Sequence, residues 1–393
     1  MPRILHQNHL ILETQYDLIL QKLDDIKPSE YARSRNFLNG GVTQLSPYIS
    51  RGVISTLQVK QHLLQKGFTI KTCERLFQQM AWREYFQRVW QHFPNLHHQK
   101  VKNETPHLIH GGIPQAVLDA KTGIIAIDKA IEELYEKGTM HNHMRMYVAM
   151  MVCNVAKCDW RDPATWMYSH LLDADVASNY LSWQWICGAF SSKLYYANQE
   201  NINKYSDSNQ TETFLDVQYE DFSKMNVPPI LFPKSSFIVN SSQEAVRFPE
   251  IISLLQWREL PRAQNKQLLL YTPYHLDPMW RIQETAERVL LLDTKTLDVF
   301  PMGLNVLEFV IGLSKNIKNL LIVLGDVDDF IHIISEQGVT CSSKEHPLLP
   351  SSFILCDERE WMYPEYTGLS PSFFHFWKKC ETSERKSLQK IHK

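Results

Sequence analysis

The chain has 393 residues, 44% hydrophobic and 11% aromatic, enough to build a sizeable core and too many for a disordered segment. Its 41 Lys+Arg stand against 43 Asp+Glu, a formal net charge of −2, which excludes a generically basic nucleic-acid coat but not a local basic groove. The 7 cysteines are odd in number and form no CxxC, which argues against a disulfide framework or a zinc ribbon. No secretory h-region opens the chain, and no apolar run reaches the roughly 18 residues of a membrane span. The expectation is a reduced, cytoplasmic protein without a membrane partner.

Apolar residues recur at helical spacing over Gly52–Gln65, Glu74–His92, Ile125–Glu136, Asn142–Ala156 and Ala164–Leu172, so the first part of the chain is predicted to be helical. The texture changes around Asn209–Lys234, where NVPPILFPKSS reads as a boundary. Strand-length apolar runs follow at Gln267–Tyr271, Val289–Leu292, Leu320–Gly325 and Phe353–Cys356, separated by helical patterns such as Leu304–Lys315 and Val327–Gln337. Strands alternating with helices suggest a parallel sheet. The predicted fold is therefore multidomain, α and α/β. An all-helical domain over 1–225 is followed by a smaller Rossmann-like α/β domain over 226–393. The tail ERKSLQKIHK reads as frayed or as a short solvated helix.

Three blocks carry chemistry. Tyr31–Gly52 (YARSRNFLNGGVTQLSPYISRG) sets Thr43, Gln44 and Ser46 before a helix that Pro47 opens. Such a loop binds phosphate well, although alone it is more often an ordinary N-cap. Met80–Phe86 (MAWREYF) places Trp82 and Arg83 side by side on a helix. There Arg83 meets either a phosphate or a neighbouring carboxylate. The most informative block combines Gly138–Met146 (GTMHNHMRM), Cys158–Arg161 (CDWR) and Leu172–Trp185 (LDADVASNYLSWQW) in that order.

Together these motifs, from about Tyr31 to Tyr205, resemble the FAD-binding helical domain of the DNA photolyase/cryptochrome family. The resemblance implies a U-shaped FAD inside a helical bundle, with a cavity above it for a nucleotide flipped out of ultraviolet-damaged DNA. By that likeness Tyr31, Thr43, Gln44, Leu45, Ser46 and Arg83 hold the flavin phosphates. Asn142, Arg145, Asp173, Asp175 and Asn179 surround the flavin ring, with Asn179 at N5. Trp82 and Trp185 flank a bound pyrimidine dimer and Met146 packs on it. The branch that repairs (6-4) photoproducts carries histidines at the positions of Asn142 and Met146, so the resemblance points to cyclobutane dimers. The implied activity is light-driven electron transfer from reduced flavin to the dimer. The other implied role is a blue-light photoreceptor without repair.

Several positions depart from the family pattern. Gln79 stands where dimer repairers carry a glutamate that binds the pyrimidine. Thr139 replaces a tryptophan, His143 a basic residue that meets DNA, Gln44 an arginine and Val42 a threonine. Trp183 and Trp160 match the inner two members of a three-tryptophan relay, but no tryptophan lies between Trp90 and Trp160 to serve as the outer one. The antenna domain that usually comes first is expected at the C-terminus, in permuted order. The sequence assigns no second chromophore and no protein partner to it.

Overall fold

The structure, a computed structural model, describes residues 12–238, 241–245, 247–248, 251–254, 267–349 and 354–391. The first half is helical: α1 (Tyr16–Gln21), α2 (Pro28–Ser34), α3 (Ser46–Ser50), α4 (Thr56–Gln65), α5 (Ile70–His92), α6 (Gln115–Leu118), α7 (Ile125–Lys137), α8 (Asn142–Met150), α9 (Arg161–His170), α10 (Val176–Ile186) and α11 (Gln199–Ser206). The caps follow from side-chain chemistry. Ser55 and Gln58 form a reciprocal capping box on α4, Thr69 accepts from Thr72 N at the start of α5, and α7 ends at Gly138 with φ 65°. The helix expected over Asn142–Ala156 leaves α geometry at Met150 and widens into a π turn over Met151–Val155.

Helix α5 is the hub. Its buried set includes Leu76, Phe77, Met80, Tyr85, Phe86 and Trp90, and also Glu84, Gln87 and Arg88. A helix buried on nearly all sides needs neighbours all round. The helical bundle supplies some of them and the C-terminal part supplies the rest.

Two short strands, β1 (Ile113–Pro114) and β2 (Lys234–Ser235), pair antiparallel. The proline-rich boundary therefore folds back onto the helical layer, with Phe222 and Leu231 buried in its core. Beyond it lie α12 (Ser241–Ala245), β3 (Ile252–Leu254), β4 (Gln267–Tyr271), β5 (Glu287–Asp293), α13 (Thr294–Val299), α14 (Leu304–Ser314), β6 (Leu320–Gly325), α15 (Val327–Glu336), β7 (Thr340–Lys344), β8 (Ile354–Asp357) and α16 (Phe373–Ile391). Strands β3 to β8 form one parallel sheet in the order β3-β6-β5-β4-β7-β8. This is a doubly wound arrangement that reverses between β4 and β7. Phe353, expected to begin β8, lies outside the described residues.

Alternation along the strands fills both faces of the sheet. Leu269, Tyr271, Leu290 and Leu292 join the large core that runs from Ile19 to Cys380 and includes the helical bundle. Leu268, Leu270, Val289 and Leu291 pack with Phe330 and Ile334 of α15 on the other side. The helical and α/β layers thus share one core. Tyr168 and Tyr274 join hydroxyls across the junction, and Leu276 N donates to Arg51 O at 2.8 Å.

A candidate flavin site on three helices

Helices α5, α8 and α10 bring most of the expected site residues together. Arg83 donates Nη1 to Ser50 Oγ at 3.0 Å and Nη2 to Asp175 Oδ2 at 3.1 Å. Asp175 is the N-cap of α10, its Oδ1 accepting from Ser178 N at 2.7 Å, and Gln87 Nε2 also donates to it. Arg83 therefore meets a carboxylate, one of the two partners its sequence context allows.

Arg145 reaches both oxygens of Asp173, at 2.9 and 3.0 Å, while its Nε donates to Met140 O. Burial pushes the Asp173 carboxyl up, but the Arg145 guanidinium and the Ser46 hydroxyl outweigh it and leave it below the ordinary 3.8. Ser50 Oγ donates to Asp173 O at 2.8 Å, so the two ion pairs are tied through α3.

The loop before α3 presents polar groups beside these pairs. Thr43 Oγ1 accepts from Leu45 N, Leu45 is buried, Gln44 turns at φ 54° and is exposed, and Ser46 is exposed. Tyr31, on α2, is half-buried, and burial pushes its hydroxyl up to about 12. Asn142 is exposed at the start of α8, its Nδ2 facing Met146 Sδ at 4.0 Å. Asn179 donates Nδ2 to Ala164 O at 2.9 Å, which leaves Oδ1 as its acceptor. A flavin dinucleotide needs cations and hydroxyl donors for its diphosphate and amide groups for its ring, and this donor set fits it. Arg83, Thr43, Gln44 and Ser46 suit the diphosphate. Asn142, Arg145, Asp173 and Asn179 suit the ring.

The aromatic residues are disposed less uniformly. Trp185 is 37% exposed, with its nearest ring, Tyr195, 6.0 Å away. Met146 and Gln79 are half-buried. Trp82 is stacked face to face by Phe373 of α16, centroids 3.7 Å apart and planes at 10°. Trp183 and Trp160 are both buried. Trp160 lies under the Arg161 guanidinium at 4.8 Å, and its ring neighbour Tyr180 is 6.3 Å away. Tyr180 continues to Tyr168 and Tyr274, an aromatic line toward the sheet.

His143, which stands where the family carries a basic residue that meets DNA, stacks on Tyr147 at 4.9 Å and places Nδ1 on Asn36 O at 2.8 Å. Burial pushes its ring below the ordinary 6.5.

The sequence offered no signal for what the C-terminal layer contributes. Arg359 donates to Gln87 Oε1 and to Glu345, which extends the line Asp175–Gln87–Arg359 into the sheet. Glu84 accepts from Met362 N at 2.8 Å and Tyr363 N at 3.3 Å. A cavity of about 130 Å³ at this junction is lined by Arg83, Asp175, His275, His346 and Arg359, among others. No described helix is long and apolar enough to cross a membrane.

Fold and site together define a helical layer whose donor set suits a flavin dinucleotide, packed against a parallel α/β layer. Residues 76–218 match the family described as the FAD binding domain of DNA photolyase. The deoxyribodipyrimidine photo-lyase of a Synechococcus species is 32% identical over 176 residues, which is 42% of this chain and 36% of that protein. That of Agrobacterium fabrum is 31% identical over 180 residues, 43% and 37% of the two chains. Among solved structures, a Synechocystis cryptochrome is 24% identical with a TM-score of 0.46, over 52% of this chain and 46% of that one. Residues 76–218 thus match an FAD-binding domain of the DNA photolyase type, and the cofactor that this domain binds is FAD. The chain spans just over a third of the length of these curated relatives.

Proposed function

We propose that the protein is an FAD-dependent, light-driven photo-lyase for cyclobutane pyrimidine dimers in ultraviolet-damaged DNA. One observation carries this: α5, α8 and α10 carry Arg83, Asn142, Arg145 and Asn179 and, on the same three helices, Trp82, Met146 and Trp185. When bound and reduced, FAD supplies an electron on illumination, and the lesion ring opens by accepting and returning it.

The chain's residues do the rest. Arg83 and the Thr43–Ser46 loop hold the diphosphate. Asp173 neutralises Arg145 beside the ring, and Asn179 offers Oδ1 to a ring N–H. Trp185 gives a half-open aromatic face on which a base stacks for roughly 1–3 kcal/mol. Gln79 accepts and donates hydrogen bonds but holds no acidic proton, so repair is slower than with a carboxyl there. The relay from Trp183 through Trp160 lacks an outer tryptophan, and the Arg161 guanidinium disfavours positive charge on Trp160. In this reading 1–225 is the flavin domain and 226–393 an antenna-like domain in permuted order.

The second reading is a blue-light photoreceptor. The hydrogen-bonded line from Asp175 through Gln87 and Arg359 to Glu345 favours it, because it joins the flavin site to the α/β layer.

Trp185→Ala tests the repair reading. It is expected to weaken binding of FAD-loaded protein to a dimer-containing strand far more than to the same strand undamaged. Equal losses on both contradict a lesion site.

A further inference from the structure

Phe373 covers one face of Trp82. The two rings lie parallel at 3.7 Å, the thickness of one aromatic contact, so nothing fits between them. Around the indole, Phe86 leans in at 5.2 Å and Phe374 stands edge-on at 6.5 Å. Phe373 itself is 2% exposed.

It is also firmly held. Phe376, Trp377 and Cys380 on its helix are buried in the shared core. Ahead of the helix, Tyr85 Oη donates to Ser370 O and Lys102 Nζ donates to Pro371 O at 2.9 Å. Ser370 Oγ meets His375 Nδ1 at 3.0 Å, which stiffens the approach. An ordinary rotamer fluctuation does not uncover Trp82, because the Phe373 ring is itself packed in the core and the chain ahead of it is anchored.

We propose that Phe373 decides access to the lesion pocket: it covers the stacking face of Trp82, and a flipped base gains that face only when Phe373 leaves it. This rests on the reading that Trp82 stacks a base.

The test uses the FAD-loaded full chain and a single-stranded oligonucleotide carrying one thymine dimer, followed by fluorescence anisotropy. Phe373→Ala is expected to bind the dimer strand about tenfold tighter than wild type, the scale of one base–aromatic stack. Trp82→Ala removes that gain in the Phe373→Ala background. Phe374→Ala, altering a residue 69% exposed next to it, leaves affinity as it was. Phe373→Leu keeps apolar bulk and guards against misfolding.

A second readout does not need DNA. Acrylamide quenching assigned to Trp82, by difference from Trp82→Ala, rises in Phe373→Ala. Unchanged quenching overturns the proposal whatever the DNA does. Equal dimer affinities for wild type and Phe373→Ala overturn it while leaving the repair reading intact. Raised quenching with no dimer binding by either protein upholds the cover and sinks the repair reading.

Discussion

Glu84 joins the two layers most tightly, and removing it has a calculable consequence. Its side chain is 2% exposed, pairs with Arg88 at 2.9 Å, and accepts from the amides of Met362 and Tyr363. Arg88 in turn donates to Tyr363 O at 3.0 Å and lies 4.2 Å from the Trp361 ring centre. Taking one partner from a buried pair costs about 3–5 kcal/mol, because the other charge stays buried. Two amides stranded by Glu84→Ala add about 1–3 kcal/mol each where water does not reach them. Glu84→Ala is therefore expected to lose at least about 4 kcal/mol in urea unfolding of the FAD-loaded protein, on the scale of buried-pair loss. Glu84→Gln keeps one acceptor and loses less. Replacing Arg88 by Met in the Glu84→Gln background recovers part of the loss, since the stranded charge is gone. Hydrogen exchange at Met362 and Tyr363 should accelerate in step. A loss under about 1 kcal/mol, with exchange unchanged at both amides, refutes the clamp.

Further outcomes are expected. Gly52→Ala sets a Cβ 2.6 Å from Tyr274 O at φ +64°, so it costs more than about 2 kcal/mol, whereas Gly67→Ala, with open space around it, costs only about 1 kcal/mol of backbone strain. Thermal or urea unfolding of both variants checks the difference. Asp173→Asn destabilises at neutral pH. Because the folded carboxyl lies below 3.8, the pair's contribution is present above that value and fades as pH falls through the lower folded one. The gap between wild type and variant is thus steady from about pH 5 to 8 and closes in acid. A gap that widens in acid contradicts the pairing. Asn179→Asp should change the rate at which reduced bound flavin reoxidises in air, followed by absorbance. An unchanged time course removes Asn179 from the ring.

The sequence made the helical site legible because its chemistry is local. Asp173, Asp175 and Asn179 fall within seven residues of one another, and NHMRM and WREYF each sit on one helix. Strands β4, β5 and β6 were legible as apolar runs. Strand β7, with the sequence TCSSK, was not, because polar residues become buried there by pairing between β4 and β8. Of helix α16 only the tail ERKSLQKIHK was read, as frayed or as a short solvated helix, and its start at Phe373 with Phe376 and Trp377 buried was not legible. Nor was the Trp82–Phe373 stack legible. The two residues are far apart in the chain, and no periodicity links positions brought together by a shared core. His143 was read only as a departure from a basic residue, and its contacts with Tyr147 and Asn36 were not legible.

Blue-light repair of a thymine-dimer oligonucleotide, by FAD-loaded and chemically reduced protein against a dark control, bears most directly on the central claim. The account predicts light-dependent loss of the dimer by wild type and a faster loss by Phe373→Ala. No light-dependent repair by either, with bound reduced flavin verified in the same cuvette, contradicts the repair function and leaves the photoreceptor reading standing.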